Sequence, residues 1–327
     1  MLLFLVTGGA GYIGSHTVLA LQASGHAVVV LDNLSTGHRD LVPEGALFYQ
    51  GDIADADLVG AIFRRHPVEG VLHFAARSLV GESMGDPGAY FLANTAGTAS
   101  LLQTMARHGV KRFVLSSTAA VYGEPETVPI DEGHRQQSTN PYGLSKWMIE
   151  QMLPWFERVH GLRWAALRYF NAAGADPAGR SGERHDPETH LIPNVLKVAL
   201  GERSAVTVFG DDYPTPDGTC LRDYVHVADL ADAHVLAMQH LDRGGPSGVF
   251  NLGNGRGFSV LEVIAAARKV TGQPIPVMME GRRAGDPAVL VASNERARHV
   301  LGWQPRYGDL ETIVATAWSF AAAKAGR

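Results

Sequence analysis

The chain has 327 residues, of which 46% are hydrophobic, and carries a formal net charge of −5 at pH 7. A chain of this length and composition can bury a large core, in one large α/β domain or in a nucleotide domain with a smaller lobe. The negative charge and the lack of a Lys/Arg-rich segment argue against nucleic acid as a partner. The single cysteine, Cys220, rules out an intramolecular disulfide and fits a reducing compartment.

The start of the chain and its apolar runs bear on where the protein works. Residues 1–7 already have the pattern of a buried strand, so we expect no signal peptide before them. The longest apolar runs are much shorter than a membrane span. We therefore predict a cytoplasmic protein without a membrane partner. The His residues are scattered without HExxH-like spacing, so the sequence predicts no metal site.

Apolar runs and helical patterns alternate in the first half of the chain. The runs typical of buried strands cover residues 2–7, 27–32, 47–50, 71–74, 112–116 and 164–168. Helical patterns cover residues 12–24, 55–66, 94–108 and 142–160. Strands that alternate with helices indicate a parallel sheet covered on both faces. The sequence therefore predicts an α/β fold with a doubly wound parallel sheet of the Rossmann type.

The character of the sequence changes after residue 171. Residues 172–190 are rich in Gly, Pro, Asp and Glu and predict a long loop, which a mixed region follows. Within that region, residues 227–241 predict a helix and 248–252 a strand. We predict a nucleotide-binding domain over 1–171, to which about 227–252 return. A smaller mixed α/β substrate lobe is expected over 172–327, with an interleaved boundary.

A glycine-rich turn joins the first predicted strand to the first predicted helix. Gly8, Gly11 and Gly14 permit a tight turn and a close backbone approach to a pyrophosphate, which rests on the helix N-terminus. Asp32 ends the second strand, where its carboxylate accepts hydrogen bonds from a ribose diol and repels a 2′-phosphate. This combination predicts NAD, in preference to NADP, as the cofactor. A glycine turn without a ligand is the less favoured interpretation.

Two further strand ends are expected to contact the cofactor. Asp52 and Ile53 follow the third strand, where they are placed to meet the adenine, although Asp52 or Asp55 could equally cap the next helix. The segment HFAA (73–76) ends the fourth strand, and small residues there let the cofactor pass close to the backbone.

Tyr142 and Lys146 are spaced to lie on one face of a helix. The helix begins after the strand that ends at Thr118, and strand ends are where a doubly wound sheet places its ligand chemistry. Oxidation of a secondary alcohol requires a base for the hydroxyl proton, and a neighbouring ammonium favours the phenolate form of a tyrosine. We predict Tyr142 as the base, Lys146 as its electrostatic partner and Thr118 as a hydrogen-bond partner of the reacting oxygen.

With these residues in place, the sequence resembles the extended short-chain dehydrogenases/reductases and, within them, the UDP-glucose 4-epimerase family. The resemblance covers nearly the whole chain. Its segments are TGGAGYIGSH (7–16), LDNLSTG (31–37), SSTAAVYGE (116–124), NPYGLSK (140–146), LRYFNAAGADP (167–177), HLIP (190–193), FGDDYPTPDGTCLRDYVHVADLADAH (209–234), NLGNGRGFSV (251–260) and RRAGDPAVLVAS (282–293). Members of the family often have Ser where Thr118 stands, and both residues supply a hydroxyl.

The resemblance implies a set of binding residues, a UDP-sugar as the partner and a homodimer. Besides the glycines, Asp32, Asp52 and Ile53, it assigns to the cofactor Tyr12, Ile13, Asn33, Phe74, Ala75, Ala76, Asn94, Ser116, Tyr142, Lys146, Tyr169 and Phe170. It assigns to the substrate Thr118, Asn171, His190, Leu191, Thr207, Phe209, Arg222, Val260, Arg283, Asp286 and Leu290. Arg222 and Arg283 are expected to clamp the diphosphate, and Leu290 to limit the sugar at its 2-position.

The implied activity is the reversible inversion of C4 in UDP-glucose and UDP-galactose through a transient 4-keto sugar, with tightly bound NAD. An epimerase for UDP-N-acetylglucosamine or another nucleotide sugar is the main alternative. A nucleotide-sugar 4,6-dehydratase is disfavoured because Ala119 and Ala120 follow Thr118, and neither can protonate a leaving hydroxyl. A non-catalytic NAD-sensing regulator is disfavoured because the Tyr142–Lys146 pair is retained.

Overall fold

The computed structural model describes residues 1–283 and 286–326. In this part of the chain the strands are β1 (Leu3–Thr7), β2 (Ala27–Asp32), β3 (Leu47–Gln50), β4 (Val68–His73), β5 (Arg112–Thr118), β6 (Arg163–Tyr169), β7 (Asn171–Ala173), β8 (Val206–Phe209), β9 (Leu221–Arg222), β10 (Tyr224–His226), β11 (Gly248–Leu252), β12 (Phe258–Ser259), β13 (Val277–Glu280) and β14 (Val289–Leu290).

The α-helices of the described residues are α1 (Tyr12–Ala23), α2 (Ala56–Arg65), α3 (Val80–Gly85), α4 (Pro87–Tyr90), α5 (Gly97–His108), α6 (Pro141–His160), α7 (Leu191–Ala199), α8 (Val227–Asp242), α9 (Val260–Thr271) and α10 (Leu310–Lys324). Short 3₁₀ turns lie at Arg39–Leu41 and Ala119–Val121, and π-helical turns at Phe91–Ala96 and Ala297–Leu301. Within these residues, no helix combines the length and the apolar character that crossing a membrane requires.

Seven parallel strands form the central sheet in the order β11-β6-β5-β4-β1-β2-β3. The chain order of the strands reverses between β1 and β4, which is the point where doubly wound sheets open a crevice for ligands. The predicted doubly wound parallel fold is thus confirmed. Strand β11 bonds to the edge of this sheet although it lies far along the chain, and the division into two domains near residue 171 stays a prediction.

Alternating side chains of the strands build one apolar core on each face of the sheet. Phe4 and Val6 of β1 pack with α1 and α8, whereas Leu5 packs with α2, α5 and α6. Both sets are buried, which is why the strands read as continuous apolar runs. A third apolar cluster joins α7, α9 and α10 to β8 in the C-terminal half.

The element boundaries differ from the sequence predictions mainly where polar residues enter an element. Strand β4 begins at Val68, whereas the prediction started at residue 71. The prediction missed the first residues because the exposed Glu69 interrupts the apolar run. The helix predicted from residue 94 begins as α5 at Gly97, and a π-helical turn that contains Asn94 precedes it. Residues 172–190 hold only the end of β7 and are otherwise without helix or strand.

A buried ion pair joins α6 to the sheet. The Nε atom of Arg168 on β6 donates to both carboxylate oxygens of Glu150 on α6, at 3.0 and 3.1 Å. The two side chains are only 4% and 2% exposed. Ser117 on β5 donates to the same carboxylate, and Arg168 also donates to the Tyr122 hydroxyl at 2.9 Å. The pair is therefore the centre of a network that links α6 with two neighbouring strands.

We expect Arg168→Leu to lower the free energy of unfolding by about 3–5 kcal/mol, because Glu150 stays buried without its cation. Urea unfolding followed by circular dichroism measures this loss. Arg306→Leu is the matched control, since its ion pair with Asp232 is exposed and is worth at most about 1 kcal/mol. Equal losses in the two variants would contradict the importance of the buried pair.

Candidate functional site

The residues predicted for the cofactor and for catalysis gather at one edge of the central sheet. They follow the carboxyl ends of β1 to β6, and they flank the reversal of strand order between β1 and β4. Tyr142 and Lys146 reach the same edge from α6, and Asn94 reaches it from the π-helical turn. The sheet topology thus brings these sequence-predicted groups together at the position expected of a ligand site.

The glycine turn after β1 packs too tightly for side chains at two positions and is less crowded at the third. A Cβ atom on Gly8 would lie 2.5 Å from the Ala75 nitrogen, and one on Gly14 would lie 2.1 Å from the Gly8 oxygen. A Cβ atom on Gly11 would meet only the Gly8 oxygen, at 3.3 Å. The turn can therefore form only with glycine at its ends, and the space in front of Gly11 is less crowded, with the Gly8 oxygen as its one close neighbour.

This space faces the N-terminus of α1, where the helix has no side-chain cap. Gly11 is the N-cap residue, and the first turn contains no acidic residue. The first N–H groups of a helix have no partner within it, and together with the helix dipole they favour an anion. The backbone groups of Tyr12 and Ile13 belong to this turn, while the Tyr12 hydroxyl donates to the Gly174 oxygen at 2.6 Å. The turn fits the diphosphate of a dinucleotide.

Asp32 at the end of β2 is held in place by backbone amides. Its two carboxylate oxygens accept from the nitrogens of Ala10 and Leu34, at 2.9 and 2.8 Å. Each oxygen keeps a further lone pair for a ribose hydroxyl. Asn33 donates to Asp52 at 2.8 Å, so two of the predicted cofactor residues contact each other directly.

The backbone of residues 74–76, directly after β4, forms the next part of the predicted cofactor site. The Ala75 nitrogen donates to the Thr7 oxygen at 3.1 Å, which draws this segment towards the glycine turn, and Ala76 comes next. The Phe74 ring packs on His234, with 4.6 Å between the ring centroids. Ile53 is buried beneath α5. The small side chains leave the backbone open towards the crevice.

Helix α6 begins with a strong capping signal that fixes its first turn. The Asn140 side chain accepts from the Gly143 nitrogen at 2.9 Å, and Pro141 occupies the first helical position. Tyr142 and Lys146 therefore lie one helical turn apart on the face that meets β5. Lys146 is buried, and lysine is almost never fully buried in proteins unless its charge has a partner.

Lys146 lies against the end of β5. Its Nζ atom donates to the Ser116 oxygen at 2.9 Å. Burial lowers the pKa of Lys146 to about 8, while the charge of Glu150, one turn further along α6, opposes this shift. The Ser116 hydroxyl also bonds to the Tyr169 hydroxyl, so two predicted cofactor residues are joined beside the lysine.

Tyr142 lies beside Thr118, as the sequence predicts for the catalytic pair. Burial raises the pKa of Tyr142, whereas its hydrogen bond with the Thr118 side chain lowers it. The Thr118 oxygen also accepts from the Ala120 nitrogen at 3.1 Å. The Tyr90 ring meets the Tyr142 ring edge-on, with 6.4 Å between the centroids. In the protein alone the tyrosine is thus protonated, and deprotonation needs added positive charge.

The sequence predicted Asn94 at the cofactor, but it did not mark Ser145, Tyr90 and Glu82, which help to hold this helix in place. The Asn94 amide donates to the Ser145 hydroxyl at 2.9 Å, and that hydroxyl donates to the backbone carbonyl oxygen of Tyr142 at 2.7 Å. Tyr90 donates to Glu82 at 2.7 Å beneath the Tyr142 ring. No local pattern marks these residues, because their partners lie on other elements.

A cavity of about 350 Å³ opens in the C-terminal half of the chain. Its wall includes most of the residues predicted to bind substrate, namely Asn171, His190, Leu191, Thr207, Phe209, Arg222, Val260, Arg283 and Asp286. They come from distant segments, so the fold assembles this wall as a unit. Thr118 at the end of β5 and Leu290 on β14 lie elsewhere.

Arg222 and Arg283, two of the three arginines that line the cavity, are held in different ways. Arg222 forms an ion pair with Asp286 and donates to the Pro287 oxygen at 2.9 Å. Arg283 stacks on Phe209, with its guanidinium carbon 4.0 Å from the ring centroid. Both are cationic groups in a recess, although Arg222 already has an internal carboxylate partner. Their roles on a diphosphate stay predictions.

Leu290 packs in a small apolar cluster between the two halves of the site. It contacts the group formed by Val121, Tyr122 and Ile130, which Phe170 also joins. Its backbone oxygen accepts from the Asp223 nitrogen at 3.1 Å, and its strand pairs with β9. Asn171 is bonded to the Asp223 oxygen as well, at 3.0 Å from its backbone nitrogen.

His190 has a setting that the sequence did not foresee. Its Nδ1 atom lies 2.8 Å from a Glu188 oxygen and 2.9 Å from a Glu183 oxygen, and His185 joins the same group. Burial alone lowers the pKa of His190, but the two carboxylates raise it to about 10. The alternation of Glu and His at residues 183, 185, 188 and 190 could have indicated this cluster, although its spacing matches no standard metal motif.

A family model described as "NAD dependent epimerase/dehydratase family" matches residues 4–253, so the chain belongs to that family. Its relatives include the UDP-glucose 4-epimerase of Halalkalibacterium halodurans, which is 57% identical over 97% of this chain and 94% of the relative. A Brucella ovis UDP-glucose 4-epimerase in complex with NAD has a TM-score of 0.95 at 47% identity and covers 98% of both chains.

A third relative carries a bound sugar nucleotide. The UDP-glucose-4-epimerase of Stenotrophomonas maltophila, solved with NAD and formylated UDP-arabinopyranose, has a TM-score of 0.96 at 41% identity. The match covers 100% of this chain and 99% of that one. The similarity therefore extends over the glycine turn, the α6 pair and the cavity alike.

The glycine turn generates a prediction with an internal contrast. We expect Gly11→Ala to lower the melting temperature much less than Gly14→Ala does and to lower the content of bound NAD, because its methyl group enters the space in front of α1. Gly14→Ala should destabilise the turn itself, since its Cβ clashes with the Gly8 oxygen. Thermal unfolding and the NAD released on denaturation measure the two effects.

Gly85→Ala is the control for this pair, because a Cβ atom there meets nothing within 4 Å. It should change neither quantity. Full NAD content in Gly11→Ala would show that the diphosphate does not bind in front of α1.

Proposed function

We propose that this protein catalyses the reversible inversion of C4 in UDP-hexoses, with UDP-glucose and UDP-galactose as substrates. It is an NAD-dependent isomerase. The single observation that carries the proposal is the arrangement at the start of α6. Tyr142 meets Thr118 there, and Lys146 is buried beside the same strand end. Its relatives named UDP-glucose 4-epimerase match over nearly their whole length.

Bound NAD supplies the hydride acceptor and donor for carbon 4 of the sugar. Tyr142 takes the proton of the 4-hydroxyl as the carbon loses hydride, which leaves a 4-keto sugar. Thr118 hydrogen-bonds the reacting oxygen. The 4-keto sugar then rotates so that its opposite face meets the cofactor. Hydride returns to carbon 4 on that face, and Tyr142 returns the proton to the oxygen. Each cycle therefore ends with the protein and its cofactor in their starting states.

The positive charge of Lys146 supports the phenolate of Tyr142. Burial alone raises the pKa of Tyr142, so the base needs electrostatic help in its active form. Lys146 is held by the Ser116 oxygen close to this position, and Glu150 favours its charged form. Lys146 would also hold the nicotinamide ribose of bound NAD.

The reaction requires firm binding of UDP and loose binding of the hexose. The cavity supports the first requirement, since Arg222 and Arg283 supply positive charge and Phe209 supplies an aromatic face. Asn171 and Leu191 complete the wall near the central sheet. Firm binding of the nucleotide keeps the keto sugar in the site while it rotates about its link to the diphosphate.

Two other functions fit the site less well. A 4,6-dehydratase needs an acid beside Thr118, and the 3₁₀ turn there begins with Ala119 and Ala120. A regulator that only senses NAD needs neither the Tyr142–Lys146 pair nor a further cavity lined by arginines. An epimerase for acetylated or other nucleotide sugars uses the same machinery and stays the principal alternative.

The test is conversion of UDP-galactose to UDP-glucose by the purified protein without added NAD. We expect Tyr142→Phe to lower turnover by about 10²–10⁴-fold, because general base catalysis is lost. The affinity for UDP, measured by calorimetry, should stay nearly unchanged. Tyr307→Phe, in the segment before α10, is the control and should keep turnover within about twofold.

Near-normal turnover in Tyr142→Phe would show that another group is the base. No conversion by the wild-type protein, with bound NAD demonstrated, would overturn the proposed activity itself.

Leu290 is proposed to limit the size of the sugar substituent at its 2-position. We expect Leu290→Tyr to nearly abolish action on UDP-N-acetylglucosamine and Leu290→Ser to raise it relative to UDP-glucose. The measurement is the ratio of kcat/KM for the two sugars, because discrimination is defined by that ratio. Val289→Ala is the control, since neighbouring strand residues point to opposite faces.

An unchanged ratio in Leu290→Tyr would leave Leu290 as a packing residue of the cluster with Tyr122 and Phe170.

The predicted homodimer finds support on α6. Leu144, Met148, Trp155 and Val159 are exposed, and their spacing places them on one face of the helix. An apolar stripe of this kind fits a second copy of the same helix. The homodimer and the cytoplasmic location both stay predictions.

A further inference from the structure

Four side chains from one short segment converge ahead of α7. Glu183, His185, Glu188 and His190 each direct one potential ligand atom inward, and these four atoms all lie within 4.8 Å of one another. The His190 Nδ1 atom lies 2.9 Å from a Glu183 oxygen and 2.8 Å from a Glu188 oxygen. The His185 Nδ1 atom lies 3.1 Å and 3.8 Å from oxygens of the same two carboxylates.

The cluster buries two negative charges that need compensation. The Glu183 and Glu188 side chains are 9% and 3% exposed, and a buried carboxylate without a cation is costly. Backbone amides of Thr189 and His190 donate to one oxygen of Glu188, but they are neutral and leave both charges uncompensated. The nearest arginine in sequence, Arg184, is directed away and pairs with Asp40 at 2.6 Å. Two protons on the imidazoles, or one divalent cation between all four groups, would neutralise the cluster.

The donor set selects the kind of cation. Two imidazole nitrogens and two carboxylate oxygens suit zinc and similar transition metals, whereas calcium and magnesium prefer oxygen ligands alone. Zinc bonds of 2.0–2.2 Å in a tetrahedron place the ligand atoms roughly 3.3–3.6 Å apart. The imidazole–carboxylate distances of 2.8 to 3.8 Å bracket this range. The widest pair of ligand atoms is within 4.8 Å, so side-chain movements of about 1 Å would bring the four atoms into a tetrahedron.

The segment is reachable from two sides. Glu183 and His190 line the substrate cavity, while Glu183, His185 and Glu188 line a second cavity of about 370 Å³ next to α10. An ion can therefore enter without unfolding the protein. Bound there, it would tie residues 183–188 to His190, the residue that precedes α7 and adjoins Leu191 in the cavity wall.

We propose that Glu183, His185, Glu188 and His190 form a structural site for one divalent transition metal ion of the zinc class. Four protein ligands complete a tetrahedral shell, so no position is left for water or substrate, and the ion takes no part in hydride transfer. Its role is to fix the loop before α7 and, with it, one wall of the substrate cavity.

The test uses the full-length protein with its bound NAD. Metal is removed with a chelator, ZnCl₂ is added at about pH 8, and zinc is counted by elemental analysis after gel filtration. We expect about one equivalent in the wild type. Cobalt substitution should give the intense visible absorption of a tetrahedral site. His185→Ala and Glu188→Gln should each weaken binding by more than about tenfold.

His299→Ala is the matched control, because His299 is exposed on another part of the surface and should leave zinc binding unchanged. Less than about a tenth of an equivalent in folded wild-type protein would overturn the proposal and leave two protons as the neutralising charge. Equal loss in the His185 and His299 variants would overturn it as well. Because metal content is the readout, the result is independent of the epimerase activity.

Discussion

The buried ion pair between Glu150 and Arg168 is the interaction on which the geometry of the site depends. Glu150 lies one turn beyond Lys146 on α6, and Arg168 lies near the end of β6. Because charge-assisted hydrogen bonds are directional, the pair fixes both the position of the helix along the sheet and its rotation. An apolar contact alone would allow α6 to slide or turn. The pair thereby sets where Lys146 and Tyr142 meet the end of β5.

The same burial sets the chemistry. Removing Lys146 from water lowers its pKa to about 8, and the charge of Glu150 limits that shift. The lysine therefore stays mostly protonated and positively charged at neutral pH. Tyr142 experiences the opposite effect, since burial favours its neutral form. In its proposed role as the base, Tyr142 would need further positive charge, which Lys146 and bound NAD would supply. Proton removal would then depend on an occupied cofactor site.

The sequence predicted the parts of the site whose determinants are local. The glycine turn, the run that ends in Asp32 and the capped start of α6 are each specified within about ten residues, so their positions follow from pattern and turn chemistry. Asn94 was assigned only through family resemblance, and Ser145, Tyr90 and Glu82 were not predicted, because no local pattern marks their contacts. The wall of the cavity was assigned through family resemblance, since no local rule brings such distant segments together.

The two sides of the site are held by different physical means. The cofactor side rests on the strand ends of a sheet with an apolar core on each face. The nucleotide side includes residues 183–190, which have neither helix nor strand and bury two carboxylates. Backbone amides of Thr189 and His190 donate to one oxygen of Glu188, both at 2.8 Å, and the imidazoles of His185 and His190 contact both carboxylates. The conformation of the loop before α7 therefore depends on polar contacts to Glu183 and Glu188, whereas α7 itself packs in the apolar cluster with α9 and α10.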